Sequence, residues 1–257
     1  METRHHLESE LKRLKLPGIL FNLDRRIKEA GENQLSYLDF LSFLIEDEIA
    51  QRESNNMKKR LKSARFGMER TFEGFDYHFN DSAIPAMKLK ELANCRYLDL
   101  RENIVIAGPP GIGKTHIAKA LGHEACRRGN SVLFMKAHQL LEELIQTKIL
   151  SRYESMIKKC VKVDLLILDD FGFRKLEPKE TEILYGIVDE RLGNGSMIIT
   201  SNRPTEDWLG IFPDPVVGGA MLDRLVSGAH KIIVTNAKSF RKEKTFQRNI
   251  DLEVKVS

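Results

Sequence analysis

Residues 103–115 read NIVIAGPPGIGKT. Asn103 to Ala107 has the pattern of a strand, apolar from Ile104 onward, as in strands buried on both faces. It runs directly into Gly108, Pro109, Pro110, Gly111, Ile112, Gly113, Lys114 and Thr115, a complete match to GxxxxGK[ST], and His116 continues into a helical pattern that reaches residue 128. Glycines at these places let the backbone fold around an anion with successive N–H groups pointing inward. The helix N-terminus adds its partial positive charge. Such a loop suits the phosphates of a nucleotide: Lys114 is expected to reach the β- and γ-phosphates, and the Thr115 hydroxyl to ligate Mg²⁺. A glycine-rich turn without a ligand is the competing reading, and a strand before it and a helix after it argue against that.

Leu165–Gly172, LLILDDFG, is a second short apolar run, and it ends in two adjacent carboxylates. Like charges side by side at the mouth of a dry strand raise one another's pKa unless a cation is shared. With a phosphate loop upstream, the expected cation is Mg²⁺. In P-loop nucleoside triphosphatases an acid closing a second buried strand holds the metal through its water shell, and Asp169 occupies that place. Asp170 stands where the attacking water is oriented or deprotonated, although it is one methylene shorter than glutamate; a turn former or helix N-cap is the other reading. A third run, Ser196–Thr200, leads into Ser201, Asn202, Arg203 and Pro204. It delivers an amide to the sheet edge where open α/β folds bind ligands, so Asn202 reads either as a γ-phosphate sensor or as a simple turn former.

Strands are also expected at 131–135, 163–168 and 231–234, with helices at 138–160 and 178–192. This alternation predicts an α/β fold, a parallel sheet with helices on its faces. Residues 1–67 contain no strand pattern. Leu7, Leu11 and Leu14 mark one helix, broken by Pro17-Gly18; Leu20, Leu23 and Ile27 mark a second. A third starts at Ser36 and carries Leu38, Leu41, Leu44, Ile45 and Ile49 before its apolar periodicity dissolves. Residues 52–70 hold seven basic and two acidic side chains, either a solvated linking face or a phosphate contact. The aromatic cluster Phe72, Phe75, Tyr77 and Phe79 reads as packing.

The chain has 257 residues, 42% of them hydrophobic, enough for a large core or a domain with a small appendage. A net charge of +4 is compatible with a polyanionic partner without requiring one. Cys95, Cys126 and Cys160 lack the spacing of a zinc site or disulfide framework and are expected as reduced, buried thiols. No apolar run is long enough to span a membrane and the N-terminus has no signal core, so a cytoplasmic location without membrane association is expected.

GPPGIGKT, LLILDD, IITSNR and MLDRLVSGAH, in that order, resemble the AAA+ ATPases of the DnaC/IstB group. The front end leading through KKRLKSARFGMERTFEGFDY to the loop is similar to the IstB-type helper of insertion-sequence transposition. The resemblance implies a helical N-terminal domain over residues 1–67 for self-assembly or partner binding. It implies an AAA+ ATPase domain over 68–257, with little or no C-terminal lid and no assignable sensor-2 arginine. It further implies ATP and Mg²⁺ as cofactors, double-stranded target DNA and a transposase as partners, DNA-stimulated hydrolysis, and a homo-oligomer with composite ATP sites. Arg224 matches the segment that supplies an arginine finger to the neighbouring subunit; a surface ion pair, for example with Asp223, is the alternative. Lys148, Arg152, Lys158 and Lys159 lie on the stretch that faces nucleic acid in helicase loaders, and equally suit a solvated helix face. A helicase loader with the same core, and a P-loop kinase that leaves Asn202 and Arg224 unexplained, are the other functional readings.

Overall fold

The computed structural model describes residues 2–80, 83–147, 152–235 and 237–243. These divide into two compact units, Met1–Lys59 and Arg60–Ser257.

The first unit holds helices α1 (Glu2–Arg13) and α2 (Pro17–Asn33) and most of α3 (Tyr37–Ser63). Its core is small: Leu11, Leu23 and Leu44 are buried, with Leu16, Ile19, Leu20 and Phe40 packed against them. Most other leucines and isoleucines expected on the inner faces, among them Leu38, Leu41, Ile45 and Ile49, are exposed. One polar side chain compensates. Glu48, itself buried, accepts from the N–H groups of Gly18 at 2.7 Å and Ile19 at 3.3 Å, satisfying two orphan donors at the start of α2. Only glycine fits at position 18, because a Cβ would stand 2.6 Å from the Asp47 carbonyl oxygen. Arg52 closes the arrangement on the other Glu48 oxygen at 2.7 Å. α3 continues through the polar stretch that looked like its end, carried by pairs one turn apart such as Arg52–Glu48 and Gln51–Asn55.

The second unit contains α4 (Ala86–Ala93), α5 (Arg96–Asp99), β1 (Ile104–Ala107), α6 (Lys114–Arg127), β2 (Val132–Lys136), α7 (Ala137–Thr147) and α8 (Tyr153–Lys162). There follow β3 (Leu165–Phe171), α9 (Pro178–Arg191), β4 (Ser196–Ser201), α10 (Pro215–Val226) and β5 (His230–Ile233). The five strands are parallel in the order β2-β3-β4-β1-β5. Both faces of the sheet are apolar, which is why the strands read as unbroken apolar runs. Leu133, Leu166, Leu168, Met197 and Ile199 face α7 to α10 with Trp208 and Met221; Phe134, Leu165, Ile167 and Ile198 face α4 to α6. Residues 60–67 pack with this unit: Phe134 N–H donates to the Ala64 carbonyl at 2.8 Å, covering the β2 edge, and Phe66 stacks on His123 at 4.5 Å.

Two expectations need revision. The single helix over 138–160 is two helices, α7 and α8, with residues 148–151 outside the described residues. The strand expected to stop at 168 runs to Phe171, because an irregularity between Leu168 and Phe171 absorbs the aspartates and lets Phe171 pair with Ser201. No helix among the described residues is long and apolar enough to cross a membrane. All three cysteines are free and buried, and burial pushes each thiol up to about 11.

Burial alone would raise the Glu48 pKa, but Arg52 and the amides of Gly18 and Ile19 hold the carboxylate below its ordinary value. Its stabilisation is therefore fully present above the ordinary glutamate pKa and lost as pH falls through the lower folded value. Glu48→Ala should destabilise the start of α2 by about 1–2 kcal/mol, speeding amide exchange at Gly18 and Ile19 by about five- to thirtyfold at neutral pH. Unchanged exchange at these two amides would show that the carboxylate does not cap the helix.

Candidate nucleotide site

The loop between β1 and α6 ends at Gly113, whose left-handed backbone (φ 98°) caps α6 and sets Lys114 and Thr115 in its first turn. Lys114 is 6% exposed, and its ammonium has three acceptors: the Gly108 and Pro109 carbonyls, both at 2.8 Å, and Asn202 Oδ1 at 2.7 Å. Burial pushes the Lys114 pKa below its ordinary value; Asp170 and Asp169 pull it back, and Arg241 depresses it further. Strand order explains the meeting of Lys114 with Asn202. β4 lies beside β1, the Gly108 N–H donates to the Ser201 carbonyl at 3.1 Å, and the residue after Ser201 then stands over the loop.

On the other side of β4, Asp169 is 1% exposed. Thr115 Oγ1 donates to its carboxylate, 2.9 Å from Oδ1 and 3.1 Å from Oδ2, and Thr200 Oγ1 donates to Oδ1 at 2.6 Å. Burial raises the Asp169 pKa; the two threonine hydrogen bonds oppose this, and the neighbouring Asp170 charge reinforces it. A buried carboxylate beside a hydroxyl is a hard oxygen pair that fits Mg²⁺, an ion that takes few protein ligands and leaves the rest to water and phosphate. Asp170 is held in the left-handed region (φ 55°), uncommon for a non-glycine residue, with its N–H bonded to Thr200 Oγ1 at 3.1 Å. Its carboxylate lies 3.6 Å from the Lys136 ammonium at the end of β2.

Two segments flank the loop. His116 Nε2 lies 2.8 Å from the Thr71 carbonyl oxygen and its ring meets Phe75 edge-on at 5.2 Å, so the aromatic cluster packs beside the first turn of α6. After β5, residues 237–243 return across the loop. Phe240 N–H donates to the Gly111 carbonyl at 3.0 Å, and a Cβ on Gly111 (φ 87°) would fall 2.1 Å from Ser239 Oγ. Asn80 clamps Lys238 by two hydrogen bonds, 3.1 and 3.2 Å. Sequence reading missed this return and with it Arg241; the only signal was Ser239-Phe240-Arg241 shortly after the last strand.

The sequence pattern of the family described as IstB-like ATP binding protein matches residues 9–248. This chain belongs to that family. It is 39% identical over 239 residues to an insertion-sequence ATP-binding protein of Mycobacterium tuberculosis, covering 93% of this chain and 94% of the relative. It is 33% identical to the ATP-binding protein of insertion sequence IS21 from Pseudomonas aeruginosa, covering 93% and 90%. Its fold is that of P-loop AAA+ proteins. The crystal structure of DnaI is similar with a TM-score of 0.57 at 21% identity, over 65% of this chain and 92% of that one. AMPPCP-bound DnaA from Aquifex aeolicus is similar with a TM-score of 0.57 at 24% identity, over 72% and 57%.

In this IstB-like chain Arg224 lies away from the loop. Asn103, just before β1, donates to the carbonyls of Arg224 at 3.2 Å and Leu225 at 3.3 Å, which puts the end of α10 at the amino edge of the sheet. The loop follows the other end of β1, about 13 Å along the strand at ~3.3 Å per residue. Arg224 pairs with Asp189 at 3.2 Å, rather than with Asp223, and lies over the Tyr185 ring at 5.0 Å. Of the nucleic-acid candidates, Lys148 lies outside the described residues and Arg152 is exposed. Lys158 is exposed with Glu154 at 4.0 Å, and Lys159 is half-buried, 3.4 Å from the Ser63 carbonyl.

Thr200 supports both aspartates through one oxygen. Thr200→Val keeps the shape and removes that oxygen, so urea unfolding should show a loss of about 1–3 kcal/mol. A loss under about 0.5 kcal/mol, the range of an ordinary surface change, would mean that the hydroxyl is dispensable.

Proposed function

We propose that this protein is an ATP-hydrolysing helper of insertion-sequence transposition. It assembles on double-stranded target DNA in the presence of ATP, presents that DNA to a partner transposase, and hydrolyses ATP as the regulatory step. The relatives named above, ATP-binding proteins of insertion sequences, support the setting. The observation that carries the mechanism is the separation of Lys114, Thr115, Asp169 and Asn202 at one sheet edge from Arg224 at the other. A site that Arg224 of the same chain does not reach suits head-to-tail assembly, in which the next copy supplies that arginine. The helical front unit then serves self-assembly or partner binding.

The inward amides of the loop and the Lys114 ammonium bind the triphosphate. Thr115 and Asp169 would hold Mg²⁺, which would neutralise charge on the phosphate oxygens. Asp170 accepts a proton from water as its oxygen attacks the γ-phosphorus and the bond to the β–γ bridging oxygen breaks, releasing ADP. Asn202 shifts from Lys114 towards the γ-phosphate or the water. Arg224 of the next copy stabilises the charge spread over the transferred group. Arg241, whose charge already acts on Lys114, is a candidate second cation from the same chain. The likeness to the DnaI and DnaA structures concerns the fold alone and gives the helicase-loader reading no observation of its own.

Lys114→Ala should abolish ATP binding and hydrolysis together. Asp170→Asn should still bind ATP and DNA while turnover falls by about a hundredfold or more, the scale of general-base effects. Normal turnover in Asp170→Asn, read by phosphate release with DNA present, would move the base to another residue.

DNA binding should be ATP-dependent and largely independent of sequence, with log affinity falling linearly against log salt. Arg152→Glu with Lys158→Glu should weaken binding and flatten that slope. Parent-like binding by the double variant across the salt range would exclude α8 as the contact surface.

A further inference from the structure

A cleft at the amino edge of the sheet is lined by Arg101, Asn103, Arg191 and Arg224, among others. Three guanidiniums in one cleft is a charge arrangement that needs explaining. Arg191 has a structural reason to be there: only 2% exposed, it donates to the carbonyls of Cys160, Val163 and Ser196 at 2.7, 2.8 and 2.7 Å. Its Nε, and that of Arg224, are nevertheless buried with no acceptor among the described residues. Asp189 pairs with Arg224. Of the other carboxylates, Asp164 is bonded to Ser131 and its charge favours that of Arg191, and Glu102 pairs with His230 at 2.9 Å.

Arg101 has no such structural employment. It is exposed, sits on a left-handed turn (φ 59°) just before β1, and makes no ion pair among the described residues. Its charge disfavours that of Arg191, so the two are close enough to repel. Like charges held together at a cleft, with donors left over, are compensated by a multivalent anion. Guanidiniums match the paired oxygens of phosphate in particular.

We propose that Arg101 acts with Arg224 across the subunit boundary, on the phosphate oxygens of the nucleotide held by the neighbouring copy. This rests on the composite-site reading above and adds to it a second cation from the same edge. Asn103 is a positioning residue for the pair. Its side chain bonds the carbonyls of Arg224 and Leu225 and accepts from Met197 N–H at 2.9 Å, which ties the end of α10 to the start of β4 beside Arg101.

Mixing of full-length variants under assembly conditions tests this. Arg101→Ala should assemble but turn ATP over at least tenfold more slowly, and Arg101→Lys should recover part of the loss. Arg101→Ala mixed in equal amount with Lys114→Ala should regain up to about a quarter of the parent rate, since that fraction of head-to-tail junctions unites two sound halves. Arg101→Ala mixed with Arg224→Ala should regain nothing, because both lesions lie on one side of the junction. The composite-site reading is tested separately by Lys114→Ala mixed with Arg224→Ala. Recovery there but not with Arg101→Ala overturns the role of Arg101 and leaves the composite site standing; recovery in neither, with co-assembly verified, overturns both. A free anion is the remaining source of phosphate. If Lys114→Ala binds tripolyphosphate, loses it on adding Arg101→Ala, and the mixture shows no recovery, the cleft serves a soluble anion and the proposal fails.

Discussion

The buried ammonium of Lys114 sets the terms for the second unit. An ammonium removed from water must be surrounded by acceptors, and Lys114 finds them in the Gly108 and Pro109 carbonyls and the Asn202 amide oxygen. Two belong to its own loop, but the third comes from the end of β4. The site therefore exists only where β4 lies beside β1 and in register with it. The same strand reaches the other way, through Thr200, to Asp169 on β3. Cation and carboxylate stand one strand apart, with the two side chains that bridge them supplied by the strand between.

The opposite edge of the sheet follows a different logic. There Arg191 gathers carbonyls from the end of α8 and from Val163 and Ser196, ahead of β3 and at the start of β4, and Asn103 does the same for α10. Gly195 is needed because a Cβ would stand 2.6 Å from the Arg191 guanidinium. Strand starts have unpaired polar groups that water would otherwise satisfy; here arginine satisfies them, and positive charge accumulates as a result.

The front unit shows how little apolar burial a helical unit can use when polar groups close its helix ends. With only three buried leucines among the described residues of this unit, the position of α2 against α3 owes much to Glu48. A helix N-terminus is a site of partial positive charge, and a carboxylate from a neighbouring helix fills it as an N-cap residue would.

Most of what is local was legible in the sequence. The glycine loop, the strand before it and the helix after it are contiguous, so GPPGIGKT could be interpreted without knowing what surrounds it. The apolar runs of β2, β3 and β4 were readable because strands covered on both faces carry no polar alternation. Asp169 and Asn202 were legible as strand ends, although the irregularity that folds Asp170 into β3 was not, since a left-handed aspartate leaves no compositional trace. The course of α3 past residue 52 depends on side-chain pairs rather than on apolar periodicity. What only the tertiary structure decided are the partnerships between distant residues: Asn202 with Lys114, Lys136 with Asp170, the charge of Arg241 with that of Lys114, and Arg101 beside Arg191 and Arg224. Strand order brings these together, and strand order is set by which faces bury one another, a property of the folded chain that no short stretch of sequence contains.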